Sequence, residues 1–341
     1  MSTSCSTLSG EGDKVPKESC RFVRDHHTRL RVQISQKQTI RMEKVGVPTI
    51  DLQDFPGQCE LLRKTCEEWG CFRLVNHNIS LSLMSEMKKV VRSLLDLPME
   101  IKKRNVDVIA GSGYMAPSAI NPLYEALGLY DMGSSHAVDT FCSQLEASPH
   151  QREVIEMYAK SIYELAINLA RILAESMGSR SGNNLFEGWA CQFRINKYNF
   201  APETVGSPGV QIHTDSGFLT ILQDDENVGG LEVMDKSGAF VAVDPEPGTL
   251  VVNLGDVATA WSNGRLRNVK HRVQCKEATL RISIATFLLG PKKAEVDTPP
   301  EFVDAQNPRL YAPFTIEDYR KLRASTKSHA GEALELVRIQ S

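Results

Sequence analysis

The segment VQIHTDSGFLTILQDDENVGGLEVMD, residues 210–235, decides the fold. Apolar and polar residues alternate in VQIHTD (210–215), FLTILQD (218–224) and GLEVMD (230–235), and Ser, Gly, Asp and Asn separate the runs. Period two between turn formers is the pattern of short strands. The same pattern extends outward on both sides. FRINKYNF (193–200) precedes it, and AFVAVDP (239–245), TLVVNLGD (249–256), VKHRVQ (269–274) and LRISIATFLL (280–289) follow. Regular turns between so many short strands predict a double-stranded β-helix, or jelly-roll, core over residues 188–294. The expected class is mainly β with flanking helices.

Upstream the period changes to that of a helix. Ile155, Tyr158, Ile162, Leu165, Leu169, Ile172 and Leu173 make one apolar stripe, so residues 150–178 read as a long supporting helix. Residues 46–145 form a helical N-terminal region. It runs from VPTIDL (47–52) through a helix around 58–69 and the strand-like CFRLVNH (71–77). An amphipathic helix near 80–96 comes next, with Leu83, Met87, Val90, Val91 and Leu94 in step, then a loop-rich stretch to about residue 135. Residues 295–341 read as a C-terminal helical segment, with helical spacing over 313–337. Residues 1–44 are polar and aperiodic, which predicts disorder, and Met42 is a possible start for the organised body.

Composition narrows the partners. The 341 residues are 41% hydrophobic and 24% charged, with a net charge of -3. That charge gives no pull toward nucleic acid or an anionic membrane. No apolar run approaches the ~18 residues of a membrane span, and MSTSCSTLSGEGDKV lacks the apolar core of a secretory leader. The eight cysteines contain no C-x-x-C pair and read as reduced thiols. A cytoplasmic monomer, possible also in the nucleus, acting on a small molecule is the expectation.

The chemistry lies in three short motifs. In His213-Thr214-Asp215, alternate residues of a strand share a face, so an imidazole and a carboxylate project together. A second imidazole, His271, stands on a later strand. Two His and one carboxylate with open positions form the ligand set of non-haem iron(II) oxygenases, although catalytic zinc accepts the same donors. Arg281-Ile282-Ser283 decides between them. An inward Arg is costly to bury without an anion, and its fork together with the Ser283 hydroxyl suits the distal carboxylate of 2-oxoglutarate. A zinc hydrolase has no use for that arrangement.

These residues, with CEEWGCFRLVNH (66–77), NKYNF (196–200), VNLGD (252–256), SNGRLRNVKHRV (262–273) and RISIATFLLGP (281–291), resemble the plant 2-oxoglutarate/Fe(II)-dependent dioxygenases. The resemblance covers about residues 46 to 325. It implies Fe(II) at His213, Asp215 and His271, and 2-oxoglutarate at Arg281 and Ser283 with Tyr198 on the same carboxylate. It also implies Asn196 near the iron-bound end, O₂ as oxidant and ascorbate as reductant. No side chain is required as general acid or base. Asn78 departs from the family, which has Gly after the His of this motif, and Asn tolerates positive φ well enough to keep the turn. His77 beside it reads as structural.

RNVDVIAGSGYMAPSAINPLYEALGLYDM (104–132) and the 210–233 stretch further resemble the dioxygenases for auxin oxidation. That resemblance implies conversion of indole-3-acetic acid, or its amino-acid conjugates, to the 2-oxindole form. Phe287, Tyr114, Leu123 and Phe218 are then candidates for an apolar wall around the indole. Two alternatives stand beside this one. The same iron chemistry could act on a gibberellin or a flavonoid, or the chain could be a catalytically silent binding protein.

Overall fold

The alternating segments are strands, and they fall into two sheets. A computed structural model describes residues 46–180 and 184–340; the disorder expected of residues 1–44 lies outside that range. From the N-terminus come β1 (Thr49–Asp51), α1 (Cys59–Glu68), β2 (Cys71–Val75), α2 (Leu81–Leu95) and the short α3 (Met99–Lys102). Next are β3 (Tyr124–Leu129), α4 (Ser135–Gln144) and α5 (Pro149–Ser176). The barrel then runs β4 (Trp189–Tyr198), β5 (Pro208–His213), β6 (Leu219–Gln223), β7 (Leu231–Met234), β8 (Phe240–Ala242) and β9 (Leu250–Leu254). After α6 (Asp256–Trp261) it closes with β10 (His271–Gln274) and β11 (Arg281–Pro291), followed by α7 (Ile316–Thr326) and α8 (Ala333–Leu336).

The larger sheet has the order β1-β2-β9-β6-β11-β4-β3, and the smaller one β5-β10-β7-β8. Apart from the parallel β1–β2 pair, the ladders are antiparallel. This is the jelly-roll core expected from the sequence, widened by β3 on one side and by β2 and β1 on the other.

Apart from β1 at its edge, the strands of the larger sheet are buried on both faces. On β11, Ile282, Ile284 and Leu288 join the core shared with the helices. The alternate residues Arg281, Ser283 and Phe287 therefore turn to the barrel interior. A second apolar cluster, including Tyr198, Val233, Val251 and Val273, fills the space between the sheets.

The helices supply the outer core. Ser148 caps α5 by accepting from the Gln151 N–H (3.3 Å), while the Gln151 side chain accepts from the Ser148 N–H (2.8 Å) and Pro149 opens the helix. From there α5 buries Ile155, Tyr158, Ile162, Leu165, Leu169 and Leu173, a stripe in which each large side chain contributes about 1.5–3 kcal/mol. The helix packs on α1, α2 and α4 and on the outer face of β6 and β11. Among the described residues, no helix is long and apolar enough to cross a membrane.

Three elements differ from expectation. β3 lies in the stretch read as loop, because YEALGL holds a Gly and the charged Glu125 yet is buried throughout. The charge is tolerated because Lys102 Nζ stands 2.5 Å from Glu125 Oε1 and Tyr114 donates to the same oxygen at 2.7 Å. α4 follows directly, started by Ser134, which accepts from the Ala137 N–H. In the C-terminal segment, residues 295–315 are not an α-helix; Pro299, Pro300, Pro308 and Pro313 break the N–H ladder, and α7 begins only at Ile316.

Phe218, expected on a ligand wall, is instead core. It is 0% exposed and packs against Phe186, Trp189 and Trp261, with centroids 4.9, 5.7 and 5.4 Å away. Trp261 is packing as well. Phe218→Ala should therefore lower unfolding stability by about 3–5 kcal/mol, measured by urea denaturation. An unchanged midpoint would mean that this cluster does not hold the barrel to its helices.

Candidate active site

Two histidines face each other across the β5–β10 ladder. His271 pairs with His213 in register, and their ring centroids are 4.2 Å apart. The ring nitrogens are already sorted. His213 Nδ1–H donates to the Gln211 carbonyl (2.8 Å) and His271 Nδ1–H to the Val269 carbonyl (3.1 Å). Both Nε2 lone pairs are thus left for a metal. They sit 3.7 and 3.8 Å from Asp215 Oδ1. His213, Asp215 and His271 offer ligand atoms within 4.8 Å of one another, enough to hold a metal ion.

The other carboxylate oxygen is fixed by neighbours from the larger sheet. Asp215 Oδ2 accepts from Thr220 Oγ1 (2.5 Å) and Asn253 Nδ2 (2.8 Å). Burial opposes ionisation of Asp215, but His271, His213 and these two donors outweigh it and hold the carboxyl below its usual range. Burial, then the adjacent His271, pushes His213 down to about 4, so it is neutral at physiological pH. A neutral His213 beside an ionised carboxylate is the protonation state a divalent metal requires.

The turn carrying Asp215 is clamped from behind. The Asp256 N–H donates to the Asp215 carbonyl (2.8 Å), and the Gly255 backbone lies so close that a Cβ there would come 2.6 Å from the same oxygen. Arg323 of α7 donates to the Thr214 carbonyl (2.7 Å) and pairs with Asp256, which also accepts from Tyr319 (2.8 Å). The C-terminal helix thereby sets the position of the ligand turn. No spacing or motif in the sequence marks Arg323 for this role.

Strand register places the remaining interior residues in rows. Arg281 stands opposite Tyr198, Ser283 opposite Asn196, and Phe287 opposite Gln192. Arg281 is 0% exposed, with its guanidinium 4.8 Å from the Tyr198 ring centre. It has an unexpected partner, because Nη2 pairs with Asp224. Burial lowers the proton affinity of Arg281, yet Asp224, Tyr198 and Asp225 reverse that and raise its pKa. Nη1 and Nε are buried without partners among the described residues, so the group is only half compensated. Asn196 accepts from Tyr124 Oη (2.7 Å) and donates weakly to Ser283 (3.4 Å).

A cavity of about 720 Å³ opens beside the triad, lined by His213, Asp215, Phe287, Gln192, Arg194 and Arg320 among others. Arg281, Ser283, Tyr198 and Asn196 lie outside that lining. Two more wall candidates also fail to reach it. The Tyr114 hydroxyl is spent on Glu125, and Leu123 packs on the cluster between the sheets. Arg194 is a further cavity residue, and its alternation with Asn196 and Tyr198 on β4, visible in the sequence, puts all three on one face. His77 is structural: Nδ1 accepts from the Ile79 N–H (3.2 Å) and Nε2–H donates to the Gly248 carbonyl (3.1 Å). Asn78 takes φ 62°, so the turn survives without glycine.

Known proteins share this architecture. Residues 189–290 match the 2OG-Fe(II) oxygenase superfamily, and residues 47–123 match the N-terminal domain of non-haem dioxygenases in morphine synthesis. The chain is 52% identical over 296 residues to the 2-oxoglutarate-dependent dioxygenase DAO of rice, covering 85% of this chain and 98% of the rice protein. It is 30% identical over 312 residues to gibberellin 3-beta-dioxygenase 4 of Arabidopsis thaliana, covering 86% of each. Among solved structures it resembles the dioxygenase for auxin oxidation 1 of A. thaliana bound to 2-oxoglutarate, with 63% identity and a TM-score of 0.75 over 77% of this chain and all of that one.

Asn253 is the residue whose loss isolates the support of Asp215. Asn253→Ala should weaken divalent-metal binding about 10- to 100-fold, read by titrating the apo-protein with Co(II). Undiminished affinity would mean that Thr220 alone fixes the carboxylate.

Proposed function

The chain belongs to the 2OG-Fe(II) oxygenase superfamily, and on that premise we propose that it oxidises indole-3-acetic acid, or its amino-acid conjugates, to the 2-oxindole form. The observation that carries this reading is the 52% identity to rice DAO across 98% of that protein, against 30% to a gibberellin dioxygenase. His213, Asp215 and His271 hold the iron(II) in this proposal. Arg281, Ser283 and Tyr198 take the distal carboxylate of 2-oxoglutarate, and Asn196 stands toward its metal end. The unpartnered Nη1 and Nε of Arg281 support that role, because a buried guanidinium lacking half its partners is stabilised by an incoming anion.

Bound iron(II) and 2-oxoglutarate supply O₂ activation coupled to decarboxylation, giving succinate and CO₂ and leaving one oxygen atom for the substrate. The protein's own task is placement. Thr220 and Asn253 orient Asp215 so that one carboxylate oxygen faces the two Nε2 atoms. Phe287, on the cavity wall beside His213 and Asp215, supplies an aromatic surface for an indole ring. Retention of His213, Asp215, His271, Arg281 and Ser283 together argues against a silent binding protein. The free thiols of Cys59, Cys66, Cys71, Cys142, Cys191 and Cys275 support a reducing compartment, the cytosol or nucleus, where we take the chain to act as a monomer.

The test is succinate formation by purified protein with iron(II), ascorbate and 2-oxoglutarate, supplied in parallel with indole-3-acetic acid, its aspartate conjugate or a gibberellin. Succinate together with an indole product carrying one added oxygen is expected; turnover with the gibberellin alone would move the chain to a sister activity. Asp215→Ala should abolish turnover. Arg281→Ala should raise the 2-oxoglutarate requirement by on the order of 2–5 kcal/mol, and an unchanged requirement would remove Arg281 from the cosubstrate site.

A further inference from the structure

The charges around the cavity do not balance. Arg323 is neutralised by Asp256, and Lys321 lies 2.7 Å from Glu317. Asp215 faces the two histidines. Arg194 and Arg320 remain, and neither forms an ion pair with a described carboxylate.

Their hydrogen-bond partners are all neutral, and the Asp107 carboxylate acts on Arg320 only without an ion pair. Arg194, 7% exposed, donates from Nε to Tyr124 Oη (3.0 Å) and from Nη1 to the Gly111 carbonyl (2.5 Å). Its Nη2 is buried with no partner among the described residues. Arg320 donates to Gln192 Oε1 (3.2 Å) and to the Ala110 carbonyl (2.7 Å). Burial lowers its pKa and the positive charges of Arg194 and Arg323 add to this, outweighing the opposing Tyr130 and the Asp107 carboxylate. Gln192 and Arg194 alternate on β4 and so share a face, and the two carbonyls belong to adjacent residues of one loop. The two guanidinium groups therefore border one region of the cavity. Two like charges, one buried and one half-buried, with a donor left over on the buried one, are stabilised by an anion between them.

We propose that Arg194 and Arg320 form the binding site for the carboxylate of the organic acid that this enzyme oxidises. The inference rests on the proposed oxidation in this cavity and adds the residues that select for an acid. Phe287, in register with Gln192, puts the aromatic wall on the same strand pair as the anion site. An aromatic acid is held at both ends: its ring lies on Phe287 and its carboxylate between the two arginines. Arg281 does not serve this carboxylate, because it lies outside the cavity lining and is tied to Asp224.

The test is calorimetric binding to anaerobic protein loaded with iron(II) and 2-oxoglutarate. Indole-3-acetate and phenylacetate are each compared with their own primary amide, on the wild type, Arg320→Gln and Arg320→Lys. The wild type should prefer each acid. Arg320→Gln should raise the Kd of the acids about 10- to 100-fold, the range of a charged hydrogen bond, and leave the amides unchanged, with partial recovery in Arg320→Lys. The visible band of the metal–2-oxoglutarate complex should titrate at the same 2-oxoglutarate concentration in all three proteins. Equal affinity for acid and amide, no binding of either acid, or a shift of the 2-oxoglutarate titration in Arg320→Gln overturns the proposal. Charge-dependent binding without oxidation of indole-3-acetate would keep the anion site and remove the auxin reading. Oxidation of indole-3-acetate with charge-blind binding would do the reverse.

Discussion

A carboxylate taken out of water between two imidazoles is the constraint around which this structure is built. Asp215 is 8% exposed, and an unpaired ionised group there would be far too costly to keep. Its surroundings are arranged to keep it ionised and aimed. One oxygen is committed to Thr220 and Asn253 on adjacent strands of the larger sheet, and the other faces His213 and His271 on the smaller one. The site thus spans both sheets, and neither can shift register without separating the ligands. The α7 clamp on Thr214 adds a third element, which explains why a helix remote in sequence carries the fully buried Tyr319 and the buried Arg323.

That constraint also explains an inversion in the strands. In an ordinary sandwich the apolar residues point between the sheets. On β11 they point outward, to α5, while Arg281, Ser283 and Phe287 point inward. The long helix is what makes this possible, because it buries the outer face and leaves the inner face free for polar groups. Strands with two buried faces then read as near-continuous apolar runs with a few polar insertions, as in RISIATFLLGP.

The metal triad and the barrel strands were legible because both depend on local periodicity. His213 ends β5 and Asp215 lies two residues on, in the turn that follows, and the turn residues between strands are explicit. What was not legible depends on tertiary pairing. Asp224 neutralising part of Arg281 joins two strands across a long stretch of chain, and no spacing rule announces it. β3 was hidden because Glu125 is charged yet buried, through Lys102 and Tyr114. Phe218 misled for a geometric reason. It shares parity with the inward Thr220, but it directly follows Gly217, before β6 begins at Leu219, so alternation does not yet govern it and the ring turns into the aromatic cluster.

The arginines of the interior show how compensation separates structural from functional charge. Arg323 is fully matched by Asp256, Thr214 and backbone carbonyls, and its work is to hold a turn. Arg281 is matched on one nitrogen and left open on two. Arg194 has only neutral partners and one open nitrogen. All three were drawn from water at similar cost, so the degree of matching reflects what each still awaits. A fold that could pair Arg323 so completely did not lack carboxylates for the others; Asp224 is itself left with one oxygen unpartnered among the described residues. The incomplete pairs are concentrated on β4 and β11, the two strands whose inner faces run between the cosubstrate residues and the cavity. Open donors along that path, beside the saturated Arg323 of α7, mark where the protein leaves its electrostatics to be completed by what it binds.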